Sequence, residues 1–202
     1  MFKRIALLGI AVGSAWGCAI QANPAQTGPA SLSPTLAQST FIEEGTQLAI
    51  VVSTRPTRYR LDRTYLPFEV AIVNKGVPEL ALTRESFTLV DSGGHQYPAV
   101  GPDELAKGYG NTDVDRNYAI ALPFIRTRFA EYRRMPSNFT PNFNAPISLD
   151  KVLLTRFSYV YDFLYFPRPS EDLLKKPLEL VVRSASLSDT HFVRFELQGR
   201  SK

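Results

Sequence analysis

Leu66-Pro67-Phe68-Glu69-Val70-Ala71-Ile72-Val73-Asn74, followed by Lys75-Gly76, sets the fold class of this chain. Phe68, Val70 and Ile72 alternate, β-branched residues fill the run, and an Asn-Lys-Gly turn closes it, which is the pattern of a β-strand. The preceding apolar run, Gln47–Ser53 (QLAIVVS), has the same character. Between them lies a loop rich in arginine (Arg55, Arg58, Arg60, Arg63), read as a solubilising group.

Downstream, Ser86–Val90 meets Asp91-Ser92-Gly93-Gly94 and then His95–Val100, a hairpin pattern with Phe87 and Leu89 on one side. Val152–Thr155, Tyr159–Phe166, Pro177–Arg183 and His191–Leu197 are further strand candidates. Tyr159–Phe166 (YVYDFLYF) is aromatic on both faces except at Asp162, as a central strand would be. Seven to nine short strands separated by turns, with no βαβ rhythm, predict a mainly β chain: a single antiparallel β-sandwich rather than an α/β enzyme fold.

One stretch departs from that pattern. In Asn117–Met135, Ile125, Phe129 and Tyr132 recur at i, i+4 and i+7, with Arg126, Arg133 and Arg134 off that face. Pro123 suits a first turn and Pro136 an end, so a short inserted helix of about three turns is expected. An irregular run, 137–146, should follow it. The insertion at 117–146 is the expected seat of whatever is particular to this protein.

The N-terminus gives an address. Lys3 and Arg4 precede an apolar run from Ile5 to Val12 and then small residues, the three-part layout of a bacterial secretory signal. The run is shorter than the ~20 residues needed to span a bilayer. Ala15-Trp16-Gly17-Cys18 resembles the lipobox of bacterial lipoproteins, which implies removal of residues 1–17 and lipidation of Cys18, the only cysteine in the chain. Ala15 stands where the family usually has Leu, and Trp16 is bulky for its place. The alternative is ordinary cleavage after Gly17 or Ala22, releasing a soluble protein. No charged residue occurs between Arg4 and Glu43, and Pro24, Pro29 and Pro34 favour extended chain. Residues 18–41 therefore read as a tether and residues 42–202 as the folded domain.

Together, the lipobox, the tether and the elements LPFEVAIVN, SFTLVDSGGHQYP and YDFLYFPRP resemble immunoglobulin-like β-sandwich domains of bacterial envelope lipoproteins. The resemblance implies a fold and a location: a membrane-anchored envelope protein, facing the periplasm. Ala19 rather than Asp after the cysteine favours delivery to the outer membrane. The resemblance brings no catalytic residues.

Composition limits the chemistry. Two histidines and one cysteine in 202 residues leave little for a metal centre. The net charge of +4 falls to +2 when Lys3 and Arg4 leave with the signal, and neither the charge nor the compartment suits a nucleic-acid binder. No cofactor is expected. Asn111, Asp113 and Asp115 alternate as calcium ligands can, but without the glycine and distant Glu of an EF-hand loop the stretch reads better as a turn. His95 or His191 beside Asp162 or Glu104 is the nearest approach to a hydrolase, and no recognised catalytic motif accompanies either. Asp103-Glu104 and Glu171-Asp172 read as helix starts.

Arg126, Arg128, Phe129, Tyr132, Arg133 and Arg134 form the densest chemistry in the chain. Guanidinium forks match carboxylate and phosphate, and aromatic rings supply anchors. The expectation is a non-enzymatic structural, assembly or protein-binding module, held to the membrane by its N-terminal lipid and contacting an envelope partner through this group. A solvated helix face with its aromatics packed inward is the plain alternative. A small-ligand or glycan-binding lipoprotein using Tyr159, Tyr161 and Tyr165 is the competing function.

Overall fold

A computed structural model describes residues 38–137, 139 and 151–197. The signal, Cys18, nearly all of the tether, and residues 138 and 140–150 of the insertion and its sequel lie outside the described residues. In chain order the elements are β1 (Thr40–Glu44), β2 (Leu48–Ser53), α1 (Arg55–Arg58), β3 (Tyr65–Asn74), β4 (Glu79–Thr83), β5 (Phe87–Val90), β6 (Gln96–Pro98), α2 (Pro102–Gly108), α3 (Thr112–Arg116), α4 (Ala121–Arg128), β7 (Arg133–Met135), β8 (Lys151–Thr155), β9 (Ser158–Pro167), α5 (Glu171–Leu174), β10 (Leu178–Val182) and β11 (His191–Phe195).

The chain is mainly β, as expected, with its strands in three sheets. The largest runs β1-β2-β3-β9-β7, the second β11-β10-β5-β6, and β4 pairs with β8 alone. Apolar residues from the first two sheets share one core: Ile50, Phe68, Ile72 and Phe166 from one, Phe87, Leu89, Leu180 and Phe195 from the other. Phe68 lies 5.8 Å from Phe166 and 5.3 Å from Phe195 between ring centroids, within the range where aromatic pairs add to simple burial.

The predicted strands lie where the alternation places them, and β3 explains why its sequence is so apolar. Leu66 to Asn74 are all buried, because the large sheet is covered on both faces. Its outer face carries Ala49, Val51, Ala71, Val73 and Tyr159 against Ala121, Ile125 and Phe129 of the α4 region, and Phe163 and Tyr165 against Leu105 and Tyr109 of the α2 region. A layer of three short helices therefore covers this face: α4 lies in the expected insertion, α2 begins at the Asp103-Glu104 pair read as a helix start, and α3 lies between them.

Three expectations are corrected. The helix is eight residues rather than three turns, ending at Arg128, because Arg133–Met135 finds a strand partner beside β9. That pairing is parallel, so the sheets are not purely antiparallel; the long passage from β7 to β9 by way of β8 supplies the crossover a parallel pair requires. β1 begins at Thr40, inside the stretch read as tether, because Thr40 and Phe41 pair with Ser53 and Val52 and Phe41 packs on the core.

Candidate functional site

Among the described residues the predicted arginine and aromatic group is split by the fold into a buried and an exposed part. Phe129 is buried in the outer-face cluster and Tyr132 is half-buried against it, the two rings meeting edge to face at 5.5 Å. Arg126 and Arg128 are exposed on α4, and Arg133 and Arg134 are exposed on β7. The helical spacing thus predicted the inward face, and β7 carries the two later arginines along an edge strand.

The fold brings a further pair to this place that the sequence reading left aside. Arg156 and Phe157 form the turn between β8 and β9, and Phe157 is 53% exposed. Its φ is +60°, the left-handed region, where a bulky side chain is rare. Three hydrogen bonds hold it there: Phe157 N donates to Asn74 O at 2.9 Å, Arg133 N donates to Phe157 O at 2.9 Å, and Ser158 Oγ donates to Thr155 O at 2.6 Å. The Phe157 ring meets Tyr132 at 5.6 Å and nearly perpendicular, and the Arg156 guanidinium lies 5.3 Å from its centroid.

Cations outnumber carboxylates at this corner: Lys75, Arg126, Arg128, Arg133, Arg134 and Arg156 stand against Glu44 and Glu131. Arg128 Nη2 lies 3.1 Å from Glu44 Oε2 and Lys75 Nζ 2.8 Å from Glu44 Oε1. Partial burial pulls the Glu44 carboxyl upward, but these two cations outweigh it and hold the group below its ordinary value. Arg126, Arg133, Arg134 and Arg156 have no carboxylate partner among the described residues. Arg134 lies over the Tyr161 ring at 5.4 Å instead.

Glu69 fixes the helix beneath this surface. It is fully buried in the middle of β3, and its carboxylate accepts from Ile120 N at 2.9 Å, Ala121 N at 2.8 Å and Tyr161 Oη at 2.5 Å. The first two donors are unpaired backbone groups at the start of α4, so Glu69 caps that helix from another element. Burial and the neighbouring Glu69 charge push the Tyr161 phenol well above its usual range. A glutamate inside LPFEVAIVN was the visible sign that a donor had to meet it.

Asn111, Asp113 and Asp115 do not converge on a shared point. They lie at the start of and along α3, where Asp113 is exposed and Asp115 is fully buried. Asp115 accepts from Arg60 Nε at 2.6 Å, Tyr109 Oη at 2.6 Å and Tyr165 Oη at 3.2 Å. Arg60, read as solubilising, is therefore a structural partner; burial disfavours its charge, but Asp115 outweighs that and holds the guanidinium pKa above its ordinary value.

The remaining titratable candidates are dispersed. His95 Nδ1 lies 3.0 Å from Asp91 Oδ2 within the β5–β6 turn, and Asp91 also accepts from Tyr97 Oη at 2.8 Å. Glu104 accepts from Tyr65 Oη at 2.7 Å. Asp162 is buried facing the core, where it accepts from Phe139 N at 2.9 Å and Ser137 Oγ at 3.0 Å; burial pushes its carboxyl up. Beside it lies a space of about 10 Å³, lined by Val70, Ile72, Phe87, Phe139, Val160 and Leu164, at the lower limit for one water. Neither histidine meets Asp162 or Glu104. Tyr159 and Tyr165 are 4% and 1% exposed, so their rings cannot stack on a sugar from solvent.

Comparison with known proteins adds little. No protein-family description matches the chain, and no curated protein does. Among solved structures, the "putative lipoprotein" ycdA of Bacillus subtilis is similar at 14% identity and a TM-score of 0.41, over 80% of this chain. This chain spans only 39% of the length of that one. A DUF4426 family protein of Pseudomonas aeruginosa is similar at 10% identity and a TM-score of 0.33, over 82% of this chain and all of the other. No helix among the described residues is long and apolar enough to cross a membrane.

Proposed function

We propose that this chain is a bacterial envelope protein, anchored through a lipidated Cys18 and working by binding rather than catalysis, with the Arg126–Arg134 segment and the Arg156-Phe157 turn as its contact face. The two larger sheets are read as the halves of an immunoglobulin-like sandwich, a reading supported by the core that Phe68, Phe87, Leu180 and Phe195 share. Ala19, in place of an Asp after the cysteine, favours delivery to the periplasmic face of the outer membrane. The role is structural or in assembly.

One observation carries the choice of face: an exposed Phe157 in a left-handed conformation, packed on Tyr132 and set among arginines without carboxylate partners among the described residues. Backbone held in a costly region by its surroundings points to a use for the side chain it presents. A photo-cross-linking phenylalanine analogue placed at Phe157, and separately at Arg133, tests this in intact cells. The reading expects adducts with an envelope component from both positions and none from Phe192 on β11. Equal yields from all three, or none, would refute the face.

A further inference from the structure

The partner of this face can be named by its chemistry. We propose that Arg133, Arg156 and Phe157 dock on the anionic phospholipid surface of the membrane that holds the lipid anchor, with the Phe157 ring entering the headgroup layer. The proposal rests on the anchored-binder reading above and deepens it.

Shape separates a lipid surface from a protein partner. Arginine and aromatic residues also serve protein interfaces, but there they anchor a closely packed, largely apolar core of many residues. Here a single ring projects from a turn with half-buried Tyr132 beside it, the Arg156 guanidinium lies over that ring, and Arg133 is exposed on the strand bonded to the turn. A lone exposed aromatic ring flanked by cations is the pattern of an interfacial anchor: the ring enters the boundary between headgroups and acyl chains while the cations meet phosphate. Arginine suits this role, since its fork pairs with phosphate in a bidentate manner.

The conformation of Phe157 agrees with that use. Glycine is the ordinary occupant of a left-handed turn position. A phenylalanine there, more than half exposed, gains little from the fold itself, whereas the turn's hydrogen bonds to Asn74 and Arg133 hold the ring outward before any surface is met. Ordering the anchor on binding therefore has little to cost.

The attachment geometry also permits it. β1 starts beside Ser53, and the face lies toward its other end, where Glu44 meets Arg128, about 13 Å along the strand. The 20 residues between Cys18 and Ser39 reach at most about 70 Å when extended. A domain held within that distance of a bilayer meets the surface repeatedly, so even weak contacts are populated.

The test uses the mature chain, residues 18–202, with Cys18→Ala, which has no acyl chains, and vesicles of phosphatidylcholine with or without phosphatidylglycerol. Binding to the anionic vesicles should fall more than about tenfold in Arg133→Glu/Arg156→Glu. The control Arg55→Glu/Arg63→Glu, which changes net charge equally at exposed positions remote from the turn, should stay within about twofold. Phe157→Asn keeps a left-handed-compatible residue and should also weaken binding several-fold. Equal losses in both charge reversals, or none in either, overturn the proposal. In the cross-linking experiment, a phospholipid adduct at Phe157 supports it. Protein adducts alone overturn it while leaving the anchored-binder reading in place, and no adduct of any kind overturns both.

Discussion

The Arg133 amide donates to the Phe157 carbonyl at 2.9 Å, so edge strand β7 and the β8–β9 turn are bonded directly to each other. This bond joins the last residues of the predicted arginine group to a turn more than twenty residues further along the chain. The contact face is therefore made by tertiary pairing rather than by one helix.

The left-handed backbone at Phe157 gives an unusual substitution order. Asn tolerates that region, whereas β-branched residues do not. Phe157→Asn loses one edge-to-face contact with Tyr132, of about 0.5–1.5 kcal/mol, and regains a similar amount from the backbone. It should melt within about 1 kcal/mol of the parent protein, and Phe157→Val should be about 1–2 kcal/mol less stable than Phe157→Asn. Thermal unfolding of the two variants checks this.

Arg60 and Asp115 behave as a buried pair. Removing one partner leaves the other charge uncompensated, so Arg60→Met or Asp115→Leu alone should cost about 3–5 kcal/mol. The double variant should be much less destabilised than the sum of the singles, although Tyr109 and Tyr165 lose an acceptor and keep part of the cost. A double-mutant cycle by denaturant unfolding measures the coupling.

Glu69 positions α4 beneath the face. Glu69→Ala strands two amide donors and the Tyr161 hydroxyl in a buried place, with an expected loss of about 3 kcal/mol, or about 6–12 °C in Tm for a domain of this size. Calorimetry reads the shift. Glu69→Gln keeps an acceptor and should cost less.

Acid stability divides between two carboxylates of opposite sign. Burial raises the Asp91 carboxyl, but Tyr97 and the backbone amides of His95 and Gly93 outweigh it and hold it below its ordinary value. Its contribution is complete above the unfolded value near 3.9 and is lost as pH falls through the lower folded value. Asp91→Asn should thus cost about 1–3 kcal/mol at pH 7, with the deficit shrinking below pH 4. Asp162 runs the other way: burial raises its folded value, so its ionisation costs stability at neutral pH and the cost is relieved on acidification. Relative to the parent protein, Asp162→Asn should become less favourable as pH falls. Denaturant unfolding across pH 3 to 7 separates the two.

Strands were legible in the sequence because burial on each face writes itself as alternation or as a continuous apolar run. β3 and β9 are the plainest cases, and Asp162 stood out as the polar residue in a central strand. β4 and β7 were not legible: Glu79–Thr83 pairs only with β8, and Arg133–Met135 is three residues whose strand state depends on a neighbour distant in sequence. The helix was legible as a face but not in length, since Ile125 and Phe129 are set by packing and its end by the competing strand. At the candidate site, the arginines could be read from their density. Arg156 and Phe157 could not, because a positive φ at a non-glycine residue leaves no compositional trace, and the Arg60–Asp115 pair joins segments 55 residues apart.

Anchoring through Cys18 is the claim on which the rest of the account depends, and the intact mass of the mature chain isolated from bacterial envelopes tests it directly. The account predicts a polypeptide of residues 18–202 carrying the additional mass of acyl chains on its first residue. A polypeptide beginning at Cys18 or at Asn23 with no added mass would contradict it.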